Sequence, residues 1–369
     1  DGYEYKFIGK IVEQVSGVIN LCRPLHVADY PVGLKSRVSD VRKLLDAGSD
    51  DGVNMVGIHG MGGIGKSTLA RAVYNELIIA EKFDGLCFLE NVRENSNKHG
   101  LEKLQENLLS KVIGEKNIKL TSMQQGIPII KYRLTRKKVL LILDDVDTRK
   151  QLQAIAGRPD WFGLGSKIII TTRDKQLLAS HAVNKTYEVK ELNENDALQL
   201  LTWNAFKKEK ADPTYVEVLH RAVTYASGLP LALEVIGSHL FGKSIEEWGS
   251  AIKQYKRIPK EILEILKVSF DALEEEEKNV FLDIACCFKG SKEIEHILRC
   301  LYDDCMKYHI RVLVEKSLIK VSWDGIVHMH DLIQEMGRRI DQQESSEKPW
   351  KQRRLWLTKD IIQVLEDNL

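Results

Sequence analysis

A chain of 369 residues is too long for one ordinary hydrophobic core and predicts two or three domains; we expect three. Its 43% hydrophobic and 29% charged residues exclude a disordered or fibrous protein, and 54 basic against 53 acidic side chains leave a formal charge of +1. So small a charge sets up no bulk field toward nucleic acid or an anionic membrane.

The first stretch, residues 1–29, reads as a linker helix, with Phe7, Ile11, Val15 and Val18 spaced three to four apart. It opens with neither Met nor a charged-then-apolar leader, so no signal peptide is expected and the chain reads as a piece of a longer protein. Residues 30–190 alternate short apolar runs with helical stretches: Met55–Ile58, Leu86–Leu89, Val139–Leu143 and Ile168–Ile170, then a last strand at Tyr187–Val189. That alternation predicts an α/β domain with a parallel sheet covered by helices on both faces. Residues 191–258 read as a helical domain punctuated by Pro213 and the Gly228-Leu229-Pro230 turn. In residues 259–369 helices lead into a hairpin over Ser317–Met329, alternating by twos around Asp324-Gly325, the pattern of a winged helix. None of the apolar runs approaches the ~20 residues that span a bilayer. Six cysteines, Cys286 and Cys287 adjacent, make no disulfide framework and fit a reducing, intracellular setting. Cys300 and Cys305 are read as ordinary thiols, since no second Cys/His pair stands at zinc spacing.

The strongest motif is Gly60-Met-Gly62-Gly63-Ile64-Gly65-Lys66-Ser67-Thr68, a full phosphate loop between an apolar strand and a helix. The backbone N–H groups of such a loop curl around a β-phosphate, and the positive end of the helix dipole points at the same anion. Lys66 would reach the β and γ oxygens, and Ser67 would place its hydroxyl on Mg²⁺. On the following helix Leu69, Val73 and Leu77 form a stripe suited to packing on the sheet. The strand Val139–Leu143 ends in two carboxylates. Asp144 would hold the Mg²⁺ hydration shell, while strict alternation sends Asp145 to the other side of the pleat, where it would orient or deprotonate a water. Arg173, at the carboxyl end of the Ile168–Ile170 strand, stands where it would sense a γ-phosphate; a surface pair with Asp174 is the plainer alternative.

These motifs, in this order, resemble the NB-ARC module of plant NB-LRR immune receptors, over roughly Pro31 to Leu365. Gly228-Leu-Pro230-Leu is similar to the family's GLPL motif and Met329-His330-Asp331 to its MHD motif. The segments Phe83–Arg93 and Phe281–Phe288, with Asp147, are similar to the subclass that carries an N-terminal TIR domain. The resemblance implies a P-loop domain, a helical ARC1 domain and a winged-helix ARC2 domain, closed around ADP at rest and opened when ATP replaces it. It also implies that Val32 and Gly33 contact adenine by their backbone, although Lys35 stands where an acidic residue is common. Pro230 would pack near the base, His330 would reach the β-phosphate, and Asp331 would hold the closed form. Without the family, Pro230 reads as a turn former and His330 as a polar residue at a strand end.

The expected function is therefore an ADP/ATP switch with Mg²⁺, at most a slow ATPase, in the cytoplasm or nucleus. TIR and leucine-rich-repeat domains are expected on the full-length protein, with self-association on activation and no membrane partner. A nucleic-acid-associated P-loop ATPase with a winged helix is the alternative; the charge balance and the short basic stretch Lys131–Lys138 speak against it. A small-substrate kinase is a weaker rival, lacking a lid or substrate motif.

Overall fold

Short apolar runs separated by helices become parallel strands, because a parallel neighbour is reached only by a crossover long enough to hold a helix. In a computed structural model that describes residues 24–47, 52–114, 118–254, 259–292, 294–302, 306–344, 354–356 and 358–366, five such runs form one sheet. The strands are β1 (Asn54–His59), β2 (Gly85–Leu89), β3 (Val139–Val146), β4 (Lys167–Thr172) and β5 (Lys185–Glu188). All pairings are parallel, in the order β2-β3-β4-β1-β5. Val139–Leu143 is fully buried, as a central strand covered on both faces must be. One face packs against the helices Val92–Ile113, Met123–Leu134 and Arg149–Ile155, and the helix Lys66–Ala80 packs on β1, β3 and β4. Because β1 lies beside β4 rather than beside β2, the carboxyl ends of β1, β4 and β3 stand side by side. Ligands of open α/β sheets bind at such an edge.

The chain packs as two compact units, one containing the sheet (up to Gly60, and Gly65–Val189) and the other Met61–Ile64 with Lys190 onward. The expected linker helix lies mostly outside the described residues. From Pro24 the chain is non-helical, and both backbone groups of Leu25 bond the Asn75 side chain: its N–H to Oδ1 and its carbonyl to the amide nitrogen, each at 2.7 Å.

In the second unit the helices Glu194–Phe206, Val216–Ala226, Pro230–Leu240 and Ile245–Gln254 come first. Phe206, Tyr215 and the buried Trp248 pack ring against ring with centroids 5.0–5.2 Å apart, and the Trp248 indole N–H donates to the Leu240 carbonyl. Further on, the helix Glu275–Asp283, started by a Glu274/Glu277 capping box, continues into a π-helical turn at Ile284–Phe288. The buried Arg354 ties this part together: it donates to Asp283, Asp341 and the Asn279 carbonyl, while Trp356 also donates to Asp341.

The wing is shorter than its alternation predicts. β6 (Lys320–Val321) and β7 (Val327–His328) pair over two residues each, around the expected turn, where Gly325 adopts φ 82°. Its flanks are spent on helix ends. Leu318 and Ile319 turn their N–H groups back to the Leu313 carbonyl, closing the helix Met306–Glu315, and the His330 carbonyl opens the helix Asp331–Glu344 by accepting from Gln334.

Candidate functional site

At the end of β1 the chain enters the glycine loop. Gly60 adopts φ 147° and Gly65 φ 94°, conformations that a side chain would strain, and Gly65 starts the helix Lys66–Ala80. The first N–H groups of any helix have no partner within it, so this corner presents donors to an anion. Lys66 is only 7% exposed and donates to the Gly60 carbonyl at 2.8 Å. Burial first, then repulsion from Arg173, pushes its pKa down to about 7 against the pull of Asp145 and Asp144. An ammonium in that position gains from added negative charge.

Asp144, 1% exposed, accepts from Ser67 Oγ and from Thr171 Oγ1, both at 2.7 Å. A hydroxyl and a carboxylate meeting in this way are hard oxygen donors, and they fit Mg²⁺. Thr68 follows in the same first helical turn, half-buried.

The expectation that Asp145 faces the opposite side from Asp144 fails. The β3–β4 register shifts between Leu143 and Val146, Asp145 takes φ 56°, and its N–H donates to Thr171 Oγ1 at 2.8 Å instead of to a ladder carbonyl. The carboxylate meets Arg93, through Nε at 2.9 Å and Nη2 at 2.8 Å, and stands 3.7 Å from Arg173 Nε. Its charge acts on Lys66 together with that of Asp144. Arg173 is thus turned toward Asp145, while Asp174 caps the next helix, accepting from Gln176 and Leu177. Burial lowers the Arg173 pKa, repulsion from Arg93 adds to this, and Asp145 opposes both.

The sheet unit therefore brings together Lys66, Ser67, Asp144, Asp145 and Arg173. It also holds Val32 and Gly33, the latter capping the helix Leu34–Asp46, which packs on β1 and β5. Gly62, Gly63 and Ile64 pack within the second unit, where the Gly63 carbonyl accepts the Leu231 N–H at 3.2 Å. Pro230 is the first residue of its helix, the position its fixed φ suits.

His330 has both ring nitrogens in use inside the second unit. Nδ1 accepts the Leu332 N–H at 3.1 Å, which places the ring proton on Nε2, and Nε2 donates to the Ser227 carbonyl at 3.1 Å. Burial lowers its pKa, against the pull of the Ser227 carbonyl, Glu191 and Asp331. Asp331 accepts from Ser227 Oγ at 3.0 Å and from Lys289. Two residues escaped the sequence reading as parts of the site, Thr171 and Arg93. Each sits in a segment already singled out, but the partner that gives it a role lies 26 to 52 positions away.

A glycine loop at a strand-to-helix corner, with a buried aspartate at the end of a parallel strand one place removed in the sheet, defines a P-loop nucleoside triphosphatase fold. The same fold occurs in a Walker-type ATPase of Pyrococcus abyssi, with a TM-score of 0.54 and 15% identity over 83% of this chain and 95% of that one. The family model for the NB-ARC domain matches residues 35–211, and that for the winged-helix domain of Disease resistance protein Roq1-like matches residues 274–345. Disease resistance protein RUN1 of Vitis rotundifolia is 40% identical over 371 aligned positions, covering 99% of this chain and 27% of that protein. TMV resistance protein N of Nicotiana glutinosa is also 40% identical, covering 98% of this chain and 31% of its own length. The chain belongs to the NB-ARC family of plant disease resistance proteins, and it spans less than a third of the length of the two relatives just named. No helix among the described residues is long and apolar enough to cross a membrane.

Proposed function

We propose that the module is an ADP/ATP switch of an intracellular plant immune receptor, acting in the cytoplasm or nucleus, with ADP favouring a closed resting form. The observation that carries this reading is Lys66, a buried ammonium lodged at the glycine corner with its pKa pushed down to about 7, beside the Ser67–Asp144 oxygen pair. Lys66 and the loop backbone from Gly60 to Thr68 bind the phosphates, and Ser67 and Asp144 hold Mg²⁺. When bound, that ion neutralises charge on the phosphate oxygens. Thr171 fixes Asp144 in place, Asp145 orients a water, and any turnover is slow and resets the switch.

Within this reading residues 30–190 form the P-loop domain, 191–258 the helical ARC1 domain and 259–369 the winged-helix ARC2 domain. Val32, Gly33 and Pro230 border the base, and Arg173 senses the terminal phosphate. For His330 to reach a phosphate it gives up the Ser227 carbonyl, so nucleotide and Ser227 compete for the same N–H. A ligand moves such an equilibrium only by binding one form better, and a shift from 1:99 to 99:1 takes about 5.5 kcal/mol. Flanking TIR and leucine-rich-repeat domains and self-association on activation complete the proposal.

Calorimetry tests it. Lys66→Ala is expected to weaken ADP binding about a hundredfold, the loss of a charge-assisted contact to phosphate. Equal affinity in the variant would remove the site assignment.

A further inference from the structure

The carboxyl edge of the sheet holds more positive charge than the phosphate loop itself supplies. Lys66, Arg93 and Arg173 face Asp144 and Asp145, and the charge of Asp147 also acts on Arg173. Arg93 comes from the first turn of the helix Val92–Ile113, which follows β2, and both its Nε and its Nη2 settle on Oδ2 of Asp145. Arg173, from the end of β4, faces Oδ1 of the same carboxylate. The three side chains are 18–26% exposed, so solvent screens them only in part. Backbone geometry supports the arrangement: Asp145 sits at φ 56°, held there by its N–H bond to Thr171, whose hydroxyl also fixes Asp144. A non-glycine residue in that conformation costs free energy, so the surroundings hold this carboxylate between two guanidinium groups against local preference.

Planar guanidinium forks suit carboxylate and phosphate oxygens equally well. We propose that Arg93 is a specificity-determining residue for ADP against ATP, held in reserve by Asp145, which occupies the two guanidinium groups that a terminal phosphate claims. A diphosphate makes no demand on them. A triphosphate brings additional negative charge, and its binding is weakened by whatever it costs to loosen Arg93 and Arg173 from Asp145. The carboxylate thus biases the site toward ADP, and Arg93 supplies part of the attraction that lets ATP compete. This rests on the nucleotide-switch reading and adds a residue and a preference to it.

The test is calorimetry of the intact chain with ADP and with the non-hydrolysable triphosphate AMP-PNP, both with Mg²⁺. Asp145→Asn, which removes the carboxylate charge that both guanidinium groups face, is expected to raise the ratio of AMP-PNP to ADP affinity about tenfold, the lower end of the range for a charge-assisted contact. Arg93→Ala is expected to lower that ratio about tenfold, with Arg93→Lys in between because it keeps the charge and loses the fork. A purely structural ion pair predicts something else: both nucleotides weakened by the same factor in both variants, and that result overturns the inference. Should Arg93→Ala fail to fold by circular dichroism, Asp145→Asn carries the test alone, with an unchanged or lowered ratio as the overturning result. If the unmodified chain binds both nucleotides and the ratios stay fixed, only the role of Arg93 falls. If the unmodified chain binds neither, the nucleotide reading falls with it.

Discussion

Two of the buried cations, Arg354 and Lys66, differ in how their surroundings treat the charge. Arg354, in the second unit, is 6% exposed and sits among the carboxylates of Asp283 and Asp341; burial pulls its pKa down, but those two hold it above its ordinary value. Lys66, in the sheet unit, is buried to nearly the same extent, yet its pKa falls to about 7 because burial and Arg173 outweigh Asp145 and Asp144. The first charge is matched by the chain's own side chains. The second is disfavoured by burial and by a like charge, and it stands in a place where added negative charge lowers its energy. A buried cation of the first kind holds a fold together, and under the proposed function one of the second kind is there for a ligand.

Removing each cation should break the comparison in opposite directions. Arg354→Leu strands two buried carboxylates and is expected to cost about 3–5 kcal/mol in the unfolding of the second unit, measured by chemical denaturation. A loss under 1 kcal/mol would show that Arg354 is not a structural node. Lys66→Met removes a desolvated charge, and the nucleotide-free sheet unit is expected to gain about 2 kcal/mol. With saturating ADP the order should reverse, since a hundredfold tighter ligand stabilises the unmodified chain by about 2.7 kcal/mol more than the variant; a variant that melts earlier in both conditions would refute this account. Thr171→Val removes the hydroxyl that serves Asp144 and the Asp145 N–H together, and about 1–2 kcal/mol of stability should go with it.

The smallest effect concerns pH. Burial holds the folded-state pKa of His330 below its ordinary 6.5, so the unfolded chain takes up a proton first as pH falls. Stability from this group is complete above 6.5 and is lost as pH falls from there toward the lower folded value. His330→Gln should flatten that acid limb by less than about 1 kcal/mol in denaturation curves between pH 7 and 5. An identical slope in the variant would assign the limb to another group.

Much of this was legible in the residues. The continuous apolar run Val139–Leu143 announced a central parallel strand, and the glycine spacing from Gly60 to Lys66 announced the phosphate corner. Such features are local, written within ten residues. The bulge at Asp145 was not, because it depends on a hydroxyl that Thr171 offers from the neighbouring strand. Arg93 and Arg354 were equally hidden, their partners lying 52 and 71 positions away. The wing was misjudged for a different reason: alternation counts side chains, while strand length depends on which backbone groups are free to pair. Leu318 and Ile319 had already committed theirs to Leu313.

The Asn75 clasp on Leu25 has a mechanical meaning. Asn75 lies on the rod that begins at Lys66, nine residues or about 14 Å along its axis. A pull on the chain at Pro24 would therefore act on the strut whose far tip carries the lysine. The clasp and the lysine thus share a single stiff part.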